Sequence, residues 1–253
     1  MFITFEGVEG CGKTTQVRLL AERFAGRGVP VLMTREPGGA AISEQIRALI
    51  LDAKNDDMEP LTEALLYEAA RAQFVRQIVR PALAAGTTVI CDRFTDSTLA
   101  YQGYGRGLDL PALETLNGIA TSGLTPNLTI LLDVSVAAGL ERRRQGGDWN
   151  RLDAAGRDFH ERVAAGYATL AASNAGGRWR VVDGTGEIET VAAAVWSVVG
   201  GQRSAAKYRI GRPKTGTTGC FSPPTANRQP LTPSVRATGA DLTRYMVEAP
   251  GIG

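Results

Sequence analysis

The sequence predicts an α/β fold: a five-stranded parallel sheet with helices on both faces, followed by a flexible tail. Three observations predict it. Short runs rich in Val, Ile, Leu, Phe and Thr alternate with longer helical patterns through residue 200. A glycine-rich turn follows the first of those runs directly. Beyond residue 201 the composition changes, and neither periodicity persists.

Taken in order, strands are expected at 2–6, 29–33, 87–91, 128–132 and 179–183. Helices are expected near 13–26, 41–52, 61–85, 109–121, 135–145, 154–174 and 187–199. In the long one, Leu61, Leu65, Leu66, Ala69, Ala70 and Phe74 form one apolar stripe, and Pro81 falls in its last turn, where it can kink the helix. Alternation of this kind places ligands at the carboxyl ends of the strands.

The turn after the first strand reads Gly7-Val8-Glu9-Gly10-Cys11-Gly12-Lys13-Thr14-Thr15. This is the Gly-x-x-x-x-Gly-Lys-Thr phosphate-binding loop at a strand–helix junction, the signature of a P-loop NTPase fold. Glycines let the backbone curl with positive φ, so that its N–H groups cradle an anion. Lys13 brings charge to the β- and γ-phosphates, and the Thr14 hydroxyl can sit on Mg²⁺. The helix starting at Lys13 adds its positive dipole end.

Charged residues also follow the other strands. Thr34-Arg35-Glu36-Pro37-Gly38-Gly39 comes after the second, Asp92-Arg93 with Asp96 and Ser97 after the third, and Asp133 after the fourth. Burying such groups without a ligand or partner is costly. Internal ion pairs and helix caps would also satisfy Asp96 and Asp133, whereas Arg93 falls in the middle of the expected crevice. A second basic cluster, Glu141 through Arg151, ends one helix and enters a glycine-containing loop. Arginines are favoured at any helix C-terminus. Arg151, in the loop itself, is the better candidate for a lid that closes over phosphates.

Composition bounds the rest. The chain has 253 residues, is 43% hydrophobic and carries a net charge of +2. No run approaches the roughly 18 apolar residues that span a bilayer. Strand and phosphate loop start at once, leaving no room for a signal peptide, so a cytoplasmic location is expected. Cys11, Cys91 and Cys220 are too widely spaced for a disulfide framework or a zinc site. The single histidine, His160, is expected to be solvated on its helix. Residues 203–253 hold eight Lys/Arg against two Asp/Glu, and the rest of the chain 20 against 24. Half of the 12 prolines lie in that tail. A folded domain at 1–201 and a basic, Pro-rich, disordered tail at 202–253 are therefore expected, with no nucleic-acid-binding motif.

Five motifs in this order resemble the bacterial thymidylate kinase family: Phe5-Glu6-Gly7 through Thr15, Thr34 through Gly39, Tyr67-x-x-x-Arg71, Asp92-Arg93 through Ser97, and Ala100-Tyr101-Gln102-Gly103. The resemblance covers residues 1–200 and implies phosphoryl transfer from ATP to dTMP, with Mg²⁺, in a homodimer. By position it implies that Arg93 holds the dTMP phosphate and that Glu9 approaches the sugar 3′-hydroxyl. It implies that Tyr67 stacks on thymine, where the family usually has Phe, and that Arg71 bonds the base. Ser97 and Gln102 complete the base contacts, Tyr101 crowds the 2′ side, and Glu36, Pro37 and Arg47 line the acceptor site. Gly7 through Thr15 and Arg142 belong to the ATP side. Some members carry an arginine where this chain has Gly10, and the catalytic arginine is then expected from the lid, as Arg151. Another nucleotide kinase, a nucleotide-driven switch and a catalytically silent binding module remain as alternatives, although no Asn-Lys-x-Asp guanine reader occurs in the chain.

Overall fold

The computed structural model describes residues 1–146, 150–173 and 177–208, the last seven as backbone only. They belong to one compact unit, Met1–Ile210. The chain order is β1 (Phe2–Glu6), α1 (Lys13–Ala25), β2 (Val31–Arg35), α2 (Ala41–Leu51) and α3 (Pro60–Phe74). A π-helical segment, π1 (Val75–Val79), leads into α4 (Arg80–Ala84), β3 (Thr88–Asp92), α5 (Thr95–Thr98) and a second π segment, π2 (Leu99–Gly105). Then come α6 (Leu110–Thr121), β4 (Leu128–Asp133), α7 (Val136–Gln145), α8 (Arg157–Ser173), β5 (Trp179–Asp183) and α9 (Ile188–Tyr208).

All the strands pair in parallel, in the order β2-β3-β1-β4-β5. β1 is central and every residue in it is buried, as a strand covered on both faces requires. One core layer joins Ile3, Phe5, Ile130 and Leu132 to Val17, Leu20 and Phe24 of α1 and Val191, Val195 and Val199 of α9. On the other face Phe2, Val89 and Cys91 pack on Phe74, Val75 and Val79. Each buried Phe, Val or Leu contributes about 1.5–3 kcal/mol. Register sets the crevice, for Asp92 lies level with both Phe5 and Arg35 at the carboxyl edge.

The expected helix 61–85 is realised as α3, π1 and α4. Pro81 has no N–H to donate into the preceding turn, and the helix widens to π geometry just ahead of it. Residues 95–105 form α5 and π2, a helix that Thr95, Ser97, Thr98, Gly103 and Gly105 hide from propensity. The second strand starts two residues later than expected. α9 continues past Gly201 to Tyr208; the remainder of the tail, with Cys220, lies outside the described residues.

His160 corrects its sequence reading. It is 1% exposed rather than solvated, because α8 turns Phe159, His160, Val163, Gly166 and Tyr167 inward together. Cys11 and Cys91 are free and buried. Among the described residues, no helix is long and apolar enough to cross a membrane.

Candidate active site

The phosphate loop curls through three glycines of positive φ: Gly7 at 140°, Gly10 at 67° and Gly12 at 96°. Lys13, the first residue of α1, folds back across the loop. Its Nζ donates to the carbonyls of Gly7 at 3.1 Å and Val8 at 2.8 Å. The ammonium is thus held over the concavity in which the loop N–H groups converge. Gly139 of α7 lies against Glu9 and Gly10, and Gly184 lies beside Cys11. Arg142 reaches the same place, donating to Gly184 O at 3.2 Å.

Thr14 and Asp92 meet at the edge of the loop, where the hydroxyl donates to Asp92 Oδ2 at 2.7 Å. Sequence reasoning named Thr14 for a cation and left Asp92 out of the site. The signal was available, since Asp92 ends the strand next to β1. Among the described residues no group of three or more His, Cys, Asp or Glu could hold a metal. A cation here would take one or two protein oxygens and draw the rest from phosphate and water, which fits Mg²⁺ bound with a nucleotide.

Arg93 takes φ 71°, a left-handed conformation that costs a non-glycine residue about 1–2 kcal/mol. The turn aims its guanidinium back at the loop. Nη1 donates to Gly7 O, Ser97 Oγ and Tyr167 Oη, and Nη2 to Glu9 Oε2 at 2.7 Å and Tyr101 Oη at 3.0 Å. Tyr101 in turn donates to Glu9 Oε1 at 2.8 Å. Burial pushes the Glu9 carboxyl up, but Arg93 and Lys13 beside it, with the hydrogen bonds from Tyr101 and Arg93, outweigh burial and bring it to about 2. Glu9 is therefore a fixed anion between two fixed cations.

Beneath this layer, Glu6 accepts from Phe94 N, Ser97 Oγ and Tyr167 Oη. Burial, then the charge of Asp96, pushes its carboxyl up to about 7 against the pull of Arg93. Ser97 is thereby placed under Arg93, as part of its support. Asp96 is engaged internally, paired with Arg178 through both oxygens at 2.6 Å.

A second charged cluster is built on α3. Arg71, 2% exposed, donates to Glu36 at 2.8 Å, to Glu68, to Thr98 Oγ1 and Asn117 Oδ1 at 2.8 Å each, and to Phe94 O at 3.2 Å. Glu36 is pushed up to about 7, chiefly by burial, against the attraction of Arg71. Glu68, Thr98 and Asn117 were not singled out from the sequence. Tyr67, one turn before Arg71, has its hydroxyl pKa raised by burial first and then by the charges of Glu63 and Glu9, against the pull of Arg93 and Arg47. Arg47 donates to Pro37 O at 3.0 Å.

Gln102 and Arg151 meet at a residue the sequence reading passed over. Glu63, fully buried on α3, accepts from Gln102 Nε2 at 2.8 Å, from Arg106 at 3.0 Å and from Arg151 Nη2 at 2.5 Å. Burial raises the Glu63 carboxyl, and the hydrogen bonds from Arg106, Gln102 and Arg151 together with the Arg106 charge bring it below its ordinary value. Arg151 also donates to Ile50 O at 2.8 Å. Among the described residues, no hydrogen bond or ion pair ties Arg151 to the phosphate loop. The signal for Glu63 was a carboxylate four residues before Tyr67, on a largely apolar helix.

Glu9, Lys13, Thr14, Asp92, Arg93 and Tyr101 thus converge on one crevice. Such an arrangement positions phosphates and neutralises their charge; among the described residues it contains no histidine. Comparison with known proteins agrees. Residues 5–195 match the family model described as thymidylate kinase. The thymidylate kinase of Geotalea daltonii is 51% identical over 208 residues, covering 79% of this chain and 97% of the relative. That of Roseiflexus sp. is 47% identical over 211 residues, covering 79% and 93%. The crystal structure of thymidylate kinase from Ehrlichia chaffeensis superposes with a TM-score of 0.65 at 36% identity, covering 79% of this chain and 98% of that one. With the phosphate loop, the Asp-Arg pair and these matches in hand, the chain belongs to the thymidylate kinase family.

Proposed function

We propose that the chain transfers the γ-phosphoryl group of ATP to dTMP, giving dTDP and ADP. The observation that carries this reading is the placement of Arg93 against Glu9 of the phosphate loop, at 2.7 Å. A cation fixed there bridges donor and acceptor phosphates. An oxygen of the dTMP phosphate attacks the γ-phosphorus while the bond to the β-phosphate oxygen breaks and ADP leaves. The attacking oxygen is already ionised, so no base has to remove a proton. Catalysis reduces to alignment and charge stabilisation.

The roles follow. The loop from Gly7 to Thr15, with Lys13, holds the ATP phosphates, and Arg142 flanks the nucleotide. Thr14 and Asp92 would hold Mg²⁺, which when bound neutralises phosphate charge. Arg93 takes the acceptor phosphate, Glu9 the 3′-hydroxyl, and Tyr101 the 2′ side of the sugar. Tyr67 stacks on thymine, Arg71 and Gln102 meet the edge of the base, and Glu36, Pro37 and Arg47 close the pocket. Ser97 acts here through Arg93 and Glu6. Arg151 reaches the transferring phosphoryl only by leaving Glu63, so we assign it to a closed state of the lid.

Two exposed apolar pairs, Ile42 with Leu49 on α2 and Leu61 with Leu65 on α3, support a homodimer through these helices. The enzyme is proposed to work in the cytoplasm, where ATP and dTMP occur together.

A coupled ADP-release assay with dTMP, dUMP, dCMP, AMP and water as acceptors tests the reaction. We expect turnover with dTMP and Mg²⁺ and little with AMP or water. AMP turning over as fast as dTMP would refute the assignment, and hydrolysis without any acceptor would favour a nucleotide switch.

A further inference from the structure

We infer that Glu63 is the positioning residue for base selectivity: it locks the Gln102 side-chain amide with its oxygen toward the acceptor pocket, so that the pocket takes a pyrimidine carrying an N–H at N3. The inference rests on the dTMP reading above and deepens it.

An amide has a donor end and an acceptor end of nearly equal size, and left alone it can present either. An ionised carboxylate only accepts. Glu63 Oε1 takes Gln102 Nε2 at 2.8 Å, so the donor end of the amide is committed to the protein. Reversing the amide would bring two oxygens together inside a site of low exposure. Arg106 and Arg151 keep Glu63 ionised, donating to Oε2 at 3.0 and 2.5 Å. Arg106 reaches Oε1 as well, through Nε at 3.3 Å, so it keeps a cation on the carboxylate when Arg151 departs.

The other end of the amide is left over. Gln102 is 1% exposed, yet among the described residues its Oε1 accepts no hydrogen bond. It neighbours Tyr101, which is bonded to Arg93 and Glu9, and its partner Glu63 stands one turn before Tyr67. An acceptor held there suits N3–H of thymine or uracil. Cytosine carries a lone pair at N3 and would set acceptor against acceptor, a repulsive element that discriminates more sharply than a lost contact. Loss of Glu63 charge frees the amide to reverse, and the selectivity should go with it.

The alternative is that Glu63 only anchors Arg106 and Arg151. That role would lower stability and slow every substrate alike. It would not change one acceptor relative to another.

The test compares dTMP, dCMP and N3-methyl-dTMP in the wild type, in Glu63→Gln, and in the exchanged variant Glu63→Gln/Gln102→Glu. The wild type should reject N3-methyl-dTMP. In Glu63→Gln, KM for dTMP should rise about 10-fold with a smaller change in kcat, KM for ATP should stay put, and the preference for dTMP over dCMP should shrink about 10-fold. The exchanged variant puts an acceptor-only group at position 102 and should restore the rejection of dCMP. If Glu63→Gln yields no folded protein, the exchanged variant decides, since it keeps one carboxylate in the pair. An unchanged dTMP to dCMP ratio in Glu63→Gln, an exchanged variant that uses both equally, or a wild type that accepts N3-methyl-dTMP would each overturn the inference. A wild type inactive on dTMP would instead be the failure of the underlying reading, visible before any variant is made.

Discussion

Gly10 and Gly139 meet backbone to backbone. A Cβ built on Gly10 would lie 1.9 Å from Gly139 O, and one built on Gly139 would lie 2.2 Å from Glu9 O. The first turns of α7 are thus seated directly on the phosphate loop, next to the residue whose carboxylate pairs with Arg93. The contact explains why position 10 carries no side chain here, beyond the need for positive φ.

From that contact we expect Gly139→Ala to push α7 off the loop or to displace Glu9. Its kcat should fall at least about 10-fold, because sub-ångström misplacement of a catalytic array is that costly. Circular dichroism should show an intact fold. Activity within twofold of wild type would mean that the close approach is incidental.

Lys13→Ala and Arg93→Ala should each lose at least about 10²-fold in rate if, as proposed, each supplies a preorganised charge at the transferring group. Arg93→Ala also leaves Glu9 without its nearest cation. Steady-state kinetics on folded protein would check this, and near-normal turnover in either variant would sink the assignment.

Stability should depend on pH in a definite direction. Glu36 and Glu6 are each raised from the ordinary 4.5 to about 7 in the folded chain. Between those values the native state holds protons that the unfolded chain has released, so their contribution is complete below about 4.5 and is lost as pH rises through about 7. Glu9, lowered to about 2, acts oppositely: its stabilisation is present above about 4.5 and is lost in acid. The melting temperature of the wild type should therefore fall between about pH 5 and 7, and Glu36→Gln should flatten that slope. Parallel melting curves for the two proteins across this window would contradict it.

Arg71→Leu should destabilise the fold by about 3–5 kcal/mol, because it leaves Glu36 and Glu68 buried without their shared cation. Chemical denaturation is the measurement. A loss below about 1 kcal/mol would show that the carboxyls are satisfied without it.

Leu61→Glu with Leu65→Glu should yield a monomer if α2 and α3 form the dimer face, since both leucines are exposed in the single chain. Light scattering at micromolar concentration reads the mass directly. A wild type that is itself monomeric would remove the proposal.

A chain ending at Tyr208 should keep its melting temperature and its activity, because the family match stops at residue 195 and α9, the last helix among the described residues, ends at Tyr208. Loss of either on truncation would place part of the tail within the working protein.

The phosphate loop, the parallel sheet and the Asp92-Arg93 pair were legible in the sequence because each depends on neighbours in the chain. Apolar runs make strands, glycines at fixed spacing make the curl of the loop, and a strand end puts its next residues at the crevice. Arg93 and Lys13 could be nominated on that basis alone, whereas Glu9 was implied by the family resemblance. Other features were decided only by tertiary structure. Arg151 meets Glu63 across 88 positions, Arg71 meets Asn117 across 46, and Glu6 meets Tyr167 across 161. No periodicity records such pairings. His160 turned inward because of which face of α8 packed on π2, and Ser97 was drawn under Arg93 by Glu6. Local spacing determines which residues share a face; burial and long-range charge pairing determine what that face touches, and those terms exist only once the chain has closed on itself.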